Sequence, residues 1–189
     1  NPIGSLSDGN PYNISSLKLC SHTGTHLDAP RHYFDSGFSV DQIPLSHLVG
    51  EAVILDMRGK PRISAEDIMR SNFRSHSRVL FKTDNSFNLR NGIFAENFCH
   101  LTHDGAMFLI QNGTKLVGID YLSIESFEAS DGPVHKTILE SGAVIVEALD
   151  LLDAPTGPCK VLCLPLKIID ADGAPARVLI EVQETESYT

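Results

Sequence analysis

The segment His22-Thr23-Gly24-Thr25-His26-Leu27-Asp28-Ala29-Pro30-Arg31-His32 places three histidines and an aspartate within eleven residues. Imidazole and carboxylate are the ligand types that suit Zn²⁺ or Mn²⁺. A helical His-Glu-x-x-His site is excluded, because the Glu is absent and Thr23, Gly24, Thr25 and Pro30 all disfavour a helix. An extended chain alternates its faces with period two, which puts His22, Gly24, His26, Asp28, Pro30 and His32 on one side. In a flat strand His22 and His26 would stand about 13 Å apart at ~3.3 Å per residue. Closing both on one ion needs a bend, and Gly24 lies where it would be made. We therefore expect His22, His26 and Asp28 to ligate one metal.

A second group could complete the site. His135 follows Gly132-Pro133 at the start of a short helix, and Glu147 lies near the end of the apolar run AVIVEA. An unpaired Glu is expensive inside such a run, and a metal would neutralise it. The alternative for Glu147 is a strand-end charge in solvent, and for His135 a backbone hydrogen bond in the first helical turn. Tyr33, Phe34 and Phe38 directly follow the motif and could wall a pocket for an aromatic substrate or pack in the core. His47, His76, His100 and His103 stand in no ligand spacing, and Asp56 and Asp120 read as cap or turn residues at strand ends. Cys20, Cys99, Cys159 and Cys163 contain no Cys-x-x-Cys pair and read as buried free thiols, which points to an intracellular location.

These residues must be held by a scaffold that the hydrophobic pattern outlines. Strands are expected at residues 15–21, 52–57, 78–83, 116–121 and 143–148, with a closing hairpin of 160–169 and 176–182 that turns at Asp170-Ala171-Asp172-Gly173. Ser64-Ala65-Glu66-Asp67 opens a helix in capping-box style that takes in Ile68, Met69 and Phe73. A second helix runs from a Thr102 cap through Gln111 with Gly113 as its stop, and a third spans 134–141 before Gly142. Strands alternating with helices indicate an α/β domain, read here as helices and a second sheet layer around a central sheet.

Composition bounds the partners. The chain has 189 residues with Lys+Arg 15 against Asp+Glu 24, a net charge of −9, which suits one acidic domain. Without a basic stripe it is a poor binder of nucleic acid or an anionic membrane, and no apolar run is long enough for a membrane span.

The segment from His22 to His32 resembles the H-x-G-T-H-x-D-x-P-x-H motif of the cyclase family of metal-dependent hydrolases, to which bacterial kynurenine formamidase and isatin hydrolase belong. The resemblance continues through Ile43-Pro44-Leu45, residues 50–58 and 115–120, Pro133-Val134-His135, Ile145-Val146-Glu147 and Leu164-Pro165-Leu166-Lys167, and so covers nearly all of the chain from about residue 15. It implies a swivelling β/β/α domain over residues 1–189, with a first strand of the family preceding Asn1. It implies one or two Zn²⁺ or Mn²⁺ ions, His22, His26 and Asp28 on the first, and His135 and Glu147 on the second. Asp28 would bridge the two ions, Glu147 would also touch the first, and His32 would act as general acid/base. It further implies a homodimer or homotetramer of tryptophan catabolism, and the free thiols make a cytoplasmic location the expectation. The implied reaction is hydrolysis of an amide C–N bond by a metal-activated water, with an aryl formamide such as N-formylkynurenine as substrate and Tyr33 and Phe34 as substrate contacts. A lactam or lactone hydrolase, such as one acting on isatin, is the alternative enzyme. A metal-binding protein without turnover is the alternative outside catalysis, and the presence of His32 favours an enzyme. The formamidases carry an N-terminal Trp-Pro-Gly-Asp segment in their pocket, whereas this chain reads Asp8-Gly9-Asn10-Pro11-Tyr12 there and has no Trp.

Overall fold

A computed structural model describes residues 1–71 and 73–182. Its strands are β1 Pro2–Gly4, β2 Ile14–Ser15, β3 His26–Asp28, β4 Val49–Asp56, β5 Arg62–Ile63, β6 Arg78–Lys82, β7 His100–Leu101, β8 Leu116–Ile119, β9 Val144–Glu147, β10 Gly157–Pro165 and β11 Gly173–Glu181. Its α-helices are α1 Leu45–Leu48, α2 Ala65–Arg70, α3 Asn85–Arg90, α4 His103–Gln111 and α5 Pro133–Glu140. Seven strands close into a barrel in the order β10-β11-β3-β9-β8-β6-β4, with β4 returning to β10. Within the barrel the run β4-β6-β8-β9 is parallel and the remaining ladders are antiparallel.

Period-two alternation explains the two cores. Ala52, Ile54, Leu80, Leu116, Val144 and Val146 fill the barrel together with Leu27, Cys159, Val161 and Cys163. Their neighbours Val53, Leu55, Val79, Phe81, Val117, Ile119 and Ile145 face outward onto Ile68, Leu109 and Ile138 of the helices. The parallel strands are buried on both faces and therefore read as continuous apolar runs. In β10 only Cys159, Val161 and Cys163 are buried, because its outer face meets solvent. Each aliphatic side chain so buried contributes roughly 1.5–3 kcal/mol.

The α/β class expected from the sequence is observed, and the sheet layers it predicts form one continuous barrel. The antiparallel pair β10/β11 joins β4 to β3 and closes the central sheet on itself. The expected strand at 15–21 is corrected. Only Ile14–Ser15 pairs, with β1, while Leu17 and Leu19 are exposed. Alternation makes a strand only where a neighbouring strand offers a ladder. Helix α2 forms the expected capping box between Ser64 and Asp67 but ends at Arg70, before Phe73. Gly113 and Gly142 follow α4 and α5 with φ of 82° and 79°. Asp120 accepts hydrogen bonds from Thr83 N, Thr83 Oγ1 and Ser86 Oγ, a turn role that ties β8 to the start of α3. Cys99, Cys159 and Cys163 are buried thiols, but Cys20 is exposed. Among the described residues no helix is long and apolar enough to cross a membrane.

The barrel register builds one corner of the outer surface. On β3 and β9, His26 lies opposite Glu147, Leu27 opposite Val146 and Asp28 opposite Ile145. Leu27 and Val146 point into the barrel, so His26, Asp28 and Glu147 stand on the outer face, where α5 crosses β9.

Candidate metal centre

The motif does not run as one strand. His22 sits in a turn, Gly24 takes φ 65°, and only His26–Asp28 is extended. The bend brings the His22 and His26 rings to 5.0 Å between centroids. Pro30–His32 then forms a 3₁₀ turn, with Pro30 fixing its first position. His32 thus reaches the site from a turn, its ring 4.2 Å from that of His22, instead of along an alternating strand face. Gly132 and Pro133 start α5, which delivers His135. Glu147 ends β9 because Ala148 turns away with φ 54°.

Three histidines converge on two carboxylates. His22 Nδ1 lies 2.7 Å and His26 Nε2 3.3 Å from Asp28 Oδ1, and His26 Nε2 lies 3.5 Å from Glu147 Oε2. His135 Nε2 lies 3.2 Å from Glu147 Oε1 and 3.9 Å from Asp28 Oδ2. The second nitrogen of each ring is held from behind. The Gly24 carbonyl accepts from His26 Nδ1 at 2.8 Å, and Glu125 Oε2 accepts from His135 Nδ1 at 2.7 Å. His22 Nε2 meets Asp172 Oδ2 at 2.8 Å. Such outer partners fix the tautomer and ring orientation of a metal-binding His.

The donor set fits a cation. His26 Nε2 and both Asp28 oxygens are buried and have no hydrogen-bond partner, although charged and polar groups crowd them. Each buried polar atom left so costs about 1–3 kcal/mol unless something satisfies it. The carboxylates of Asp28, Glu125 and Glu147 are at most 5 % exposed. Burying three like charges together requires compensating positive charge. Three groups of side chains could each bring their ligand atoms within 4.8 Å, the buried His22-His26-Asp28 and Asp28-His135-Glu147, which share Asp28, and the more exposed His22-His32-Asp172 at the edge.

The Cyclase family model, described as "Putative cyclase", matches residues 4–126. The chain belongs to the cyclase family. "Cyclase-like protein 1" of Arabidopsis thaliana is 39 % identical over 186 residues, covering 93 % of this chain and 72 % of the relative. "Kynurenine formamidase" of Salinibacter ruber is 34 % identical over 174 residues, covering 92 % and 82 %. A solved structure described as "Potential Metal-Dependent Hydrolase With Cyclase Activity" matches with TM-score 0.82 and 38 % identity, covering 88 % of this chain and 82 % of that one.

In this cyclase-family site two polar residues escaped the sequence pattern. Glu125 lies in an irregular polar stretch with no period, and accepts from Val134 N at 2.8 Å as well as from His135. Asp172 reads as an ordinary turn residue in Asp170-Ala171-Asp172-Gly173. Tyr33 stacks on His135, with centroids 5.2 Å apart and planes at 16°. It opens onto a cavity of about 510 Å³ walled by Phe94, Phe98, Tyr121 and Phe127. Phe34 turns away, packs against the helix-side core and borders a separate groove with Phe38. Gly132 allows the Tyr33 contact, since a Cβ there would sit 2.5 Å from the Tyr33 ring and its φ is 63°. Gly132→Ala should lower unfolding free energy by roughly 1–2 kcal/mol through the left-handed backbone alone. It should also free Tyr33 from His135, and denaturant unfolding with tyrosine fluorescence reads both effects.

Electrostatics gives the chelator-treated protein a distinctive pH response. The Asp28 carboxylate beside it raises His22 to about 8 against its partial burial. Burial lowers His26 and His135, but Asp28, Glu125 and Glu147 outweigh it and hold each near 10. Burial pushes Asp28 up, but His22 and His26 outweigh it and hold its carboxyl well below the ordinary carboxylate range. Raised His values contribute stability that is complete below about 6.5 and is lost as pH rises through 8 to 10. The Asp28 contribution has the opposite sign and disappears only in strong acid. Melting temperature without ions should therefore fall from about pH 8 upward. A flat profile between neutral pH and pH 10 would contradict this.

Proposed function

We propose that the chain is a metal-dependent hydrolase that cleaves an aryl amide C–N bond, an aryl formamide such as N-formylkynurenine being the preferred class. The observation that carries this reading is the convergence of His22, His26 and His135 on Asp28 and Glu147, with unsatisfied buried atoms at its centre. These five residues would hold one or two ions of Zn²⁺ or Mn²⁺. A divalent ion bound there supplies Lewis acidity and lowers the pKa of water toward neutrality.

His32 stands beside that cluster with its side chain 30 % exposed, so it can exchange protons with substrate and solvent. Its imidazole takes the proton that water gives up on adding to the carbonyl carbon. The same proton passes to nitrogen as the C–N bond breaks, so formate and an aryl amine leave. Tyr33 and the aromatic cavity beside His135 suit a planar ring next to the scissile bond. The "Kynurenine formamidase" relatives of Salinibacter ruber and Erythrobacter litoralis support the formamide class.

The test is formate release from N-formylkynurenine and other aryl formamides, with isatin alongside, by chelated protein and by protein reloaded with Zn²⁺ or Mn²⁺. Ion-dependent turnover of formamides is expected. Turnover of isatin alone would move the assignment to lactams, and no hydrolysis by loaded protein would contradict it.

A further inference from the structure

We propose that Asp172 is a positioning residue of the metal centre, the carboxylate that holds the Nε2 proton of His22 and so turns His22 Nδ1 toward the cation. The inference rests on the reading of His22, His26 and Asp28 as ligands. His22 has its two nitrogens between two aspartates, Nδ1 at 2.7 Å from Asp28 and Nε2 at 2.8 Å from Asp172. Asp28 is buried at the centre of the cluster and Asp172 is half-exposed at its edge. A neutral imidazole carries one proton. If Asp172 accepts it at Nε2, the Nδ1 lone pair faces inward, where a cation needs it.

The fold fixes this carboxylate. β11 pairs with β3 so that Gly173 lies opposite Asp28, and the Asp172 carbonyl accepts from Ala29 N at 2.9 Å. The turn residue before Gly173 is therefore clamped beside the metal loop. Gly173 has no side chain to obstruct it, since a Cβ there would lie 2.8 Å from His22 Cε1. Ser21 Oγ donates to the same Asp172 oxygen at 3.3 Å and aims the carboxylate. The three rings then follow one rule with three different acceptors, Gly24, Glu125 and Asp172, and only Asp172 comes from the far end of the chain.

Zinc affinity by chelator competition tests the proposal without any assay of turnover. Asp172→Ala should weaken binding about 10–100-fold, the range for outer partners of metal ligands. Asp172→Asn keeps a carbonyl acceptor and should recover most of that loss. Equal affinity in wild type and Asp172→Ala would overturn the proposal and leave the ligand reading intact. Wild-type protein that binds no zinc would overturn both. Should Asp172→Ala not fold, the zinc-loaded wild type still decides. Its long-range ¹H–¹⁵N spectrum should show the His22 proton on Nε2, and a proton on Nδ1 would overturn the assignment.

Discussion

Asp28→Asn is expected to abolish stoichiometric Zn²⁺ or Mn²⁺ binding and, with it, hydrolysis. Asp28 is 1 % exposed, and it belongs to both of the buried candidate ligand groups. The substitution keeps the volume but removes the negative charge. It also brings an NH₂ toward His22 Nδ1 and His26 Nε2, which lie 2.7 and 3.3 Å from Asp28 Oδ1. A bound ion contributes several kcal/mol of transition-state stabilisation, so at ~1.4 kcal/mol per tenfold the rate should fall by at least about 10³-fold. The same change removes the main charge that raises His22, so its pKa in chelated protein should fall toward the ordinary value. Metal analysis after dialysis and NMR titration of His22 measure the two effects separately. Retained stoichiometric metal would show that Asp28 is no ligand.

His32→Ala is expected to separate binding from catalysis. His32 belongs to neither of the two buried groups that share Asp28, yet its ring lies 4.2 Å from His22 and 6.2 Å from His135 between centroids. Metal content should stay at the wild-type level while kcat/KM falls about 10²–10⁴-fold, the general acid–base range. Burial, reinforced by His22 and His135 and opposed by Asp28, pushes His32 below its ordinary pKa. A cation held nearby acts in the same direction. The base form therefore persists into mildly acidic solution, and the acid limb of the wild-type kcat/KM profile should lie below about pH 6.5. Near-normal turnover by His32→Ala would remove this residue from the reaction.

Much of the site was legible because its signals are local. Three His and an Asp within eleven residues announce cation chemistry, and Gly24 marks the bend that lets them meet. Glu147 was visible as a charge inside an apolar strand, and its pairing with His26 across β9 and β3 explains why it is tolerated there. The outer partners were not legible. Glu125 acquires its role only when α5 turns His135 back onto it from ten residues away, and Asp172 only through the β11/β3 register, which joins it to His22 across 150 residues. The same limit applies to the fold. Buried parallel strands stand out as apolar runs, as in Arg78–Lys82, whereas closure of the barrel depends on where β10 and β11 dock. The alternation at residues 15–21 misled because nothing pairs with it beyond Ser15.

A cation centre is expected at the corner formed by β3, β9 and the turn before β3. Diffraction from crystals of zinc-loaded protein, recorded at the zinc absorption edge, tests it most directly. An anomalous peak is expected between His22 Nδ1, His26 Nε2 and Asp28 Oδ1, with any second peak between Asp28, His135 and Glu147. A map with no peak in this cluster, or with zinc only at other residues, would contradict it.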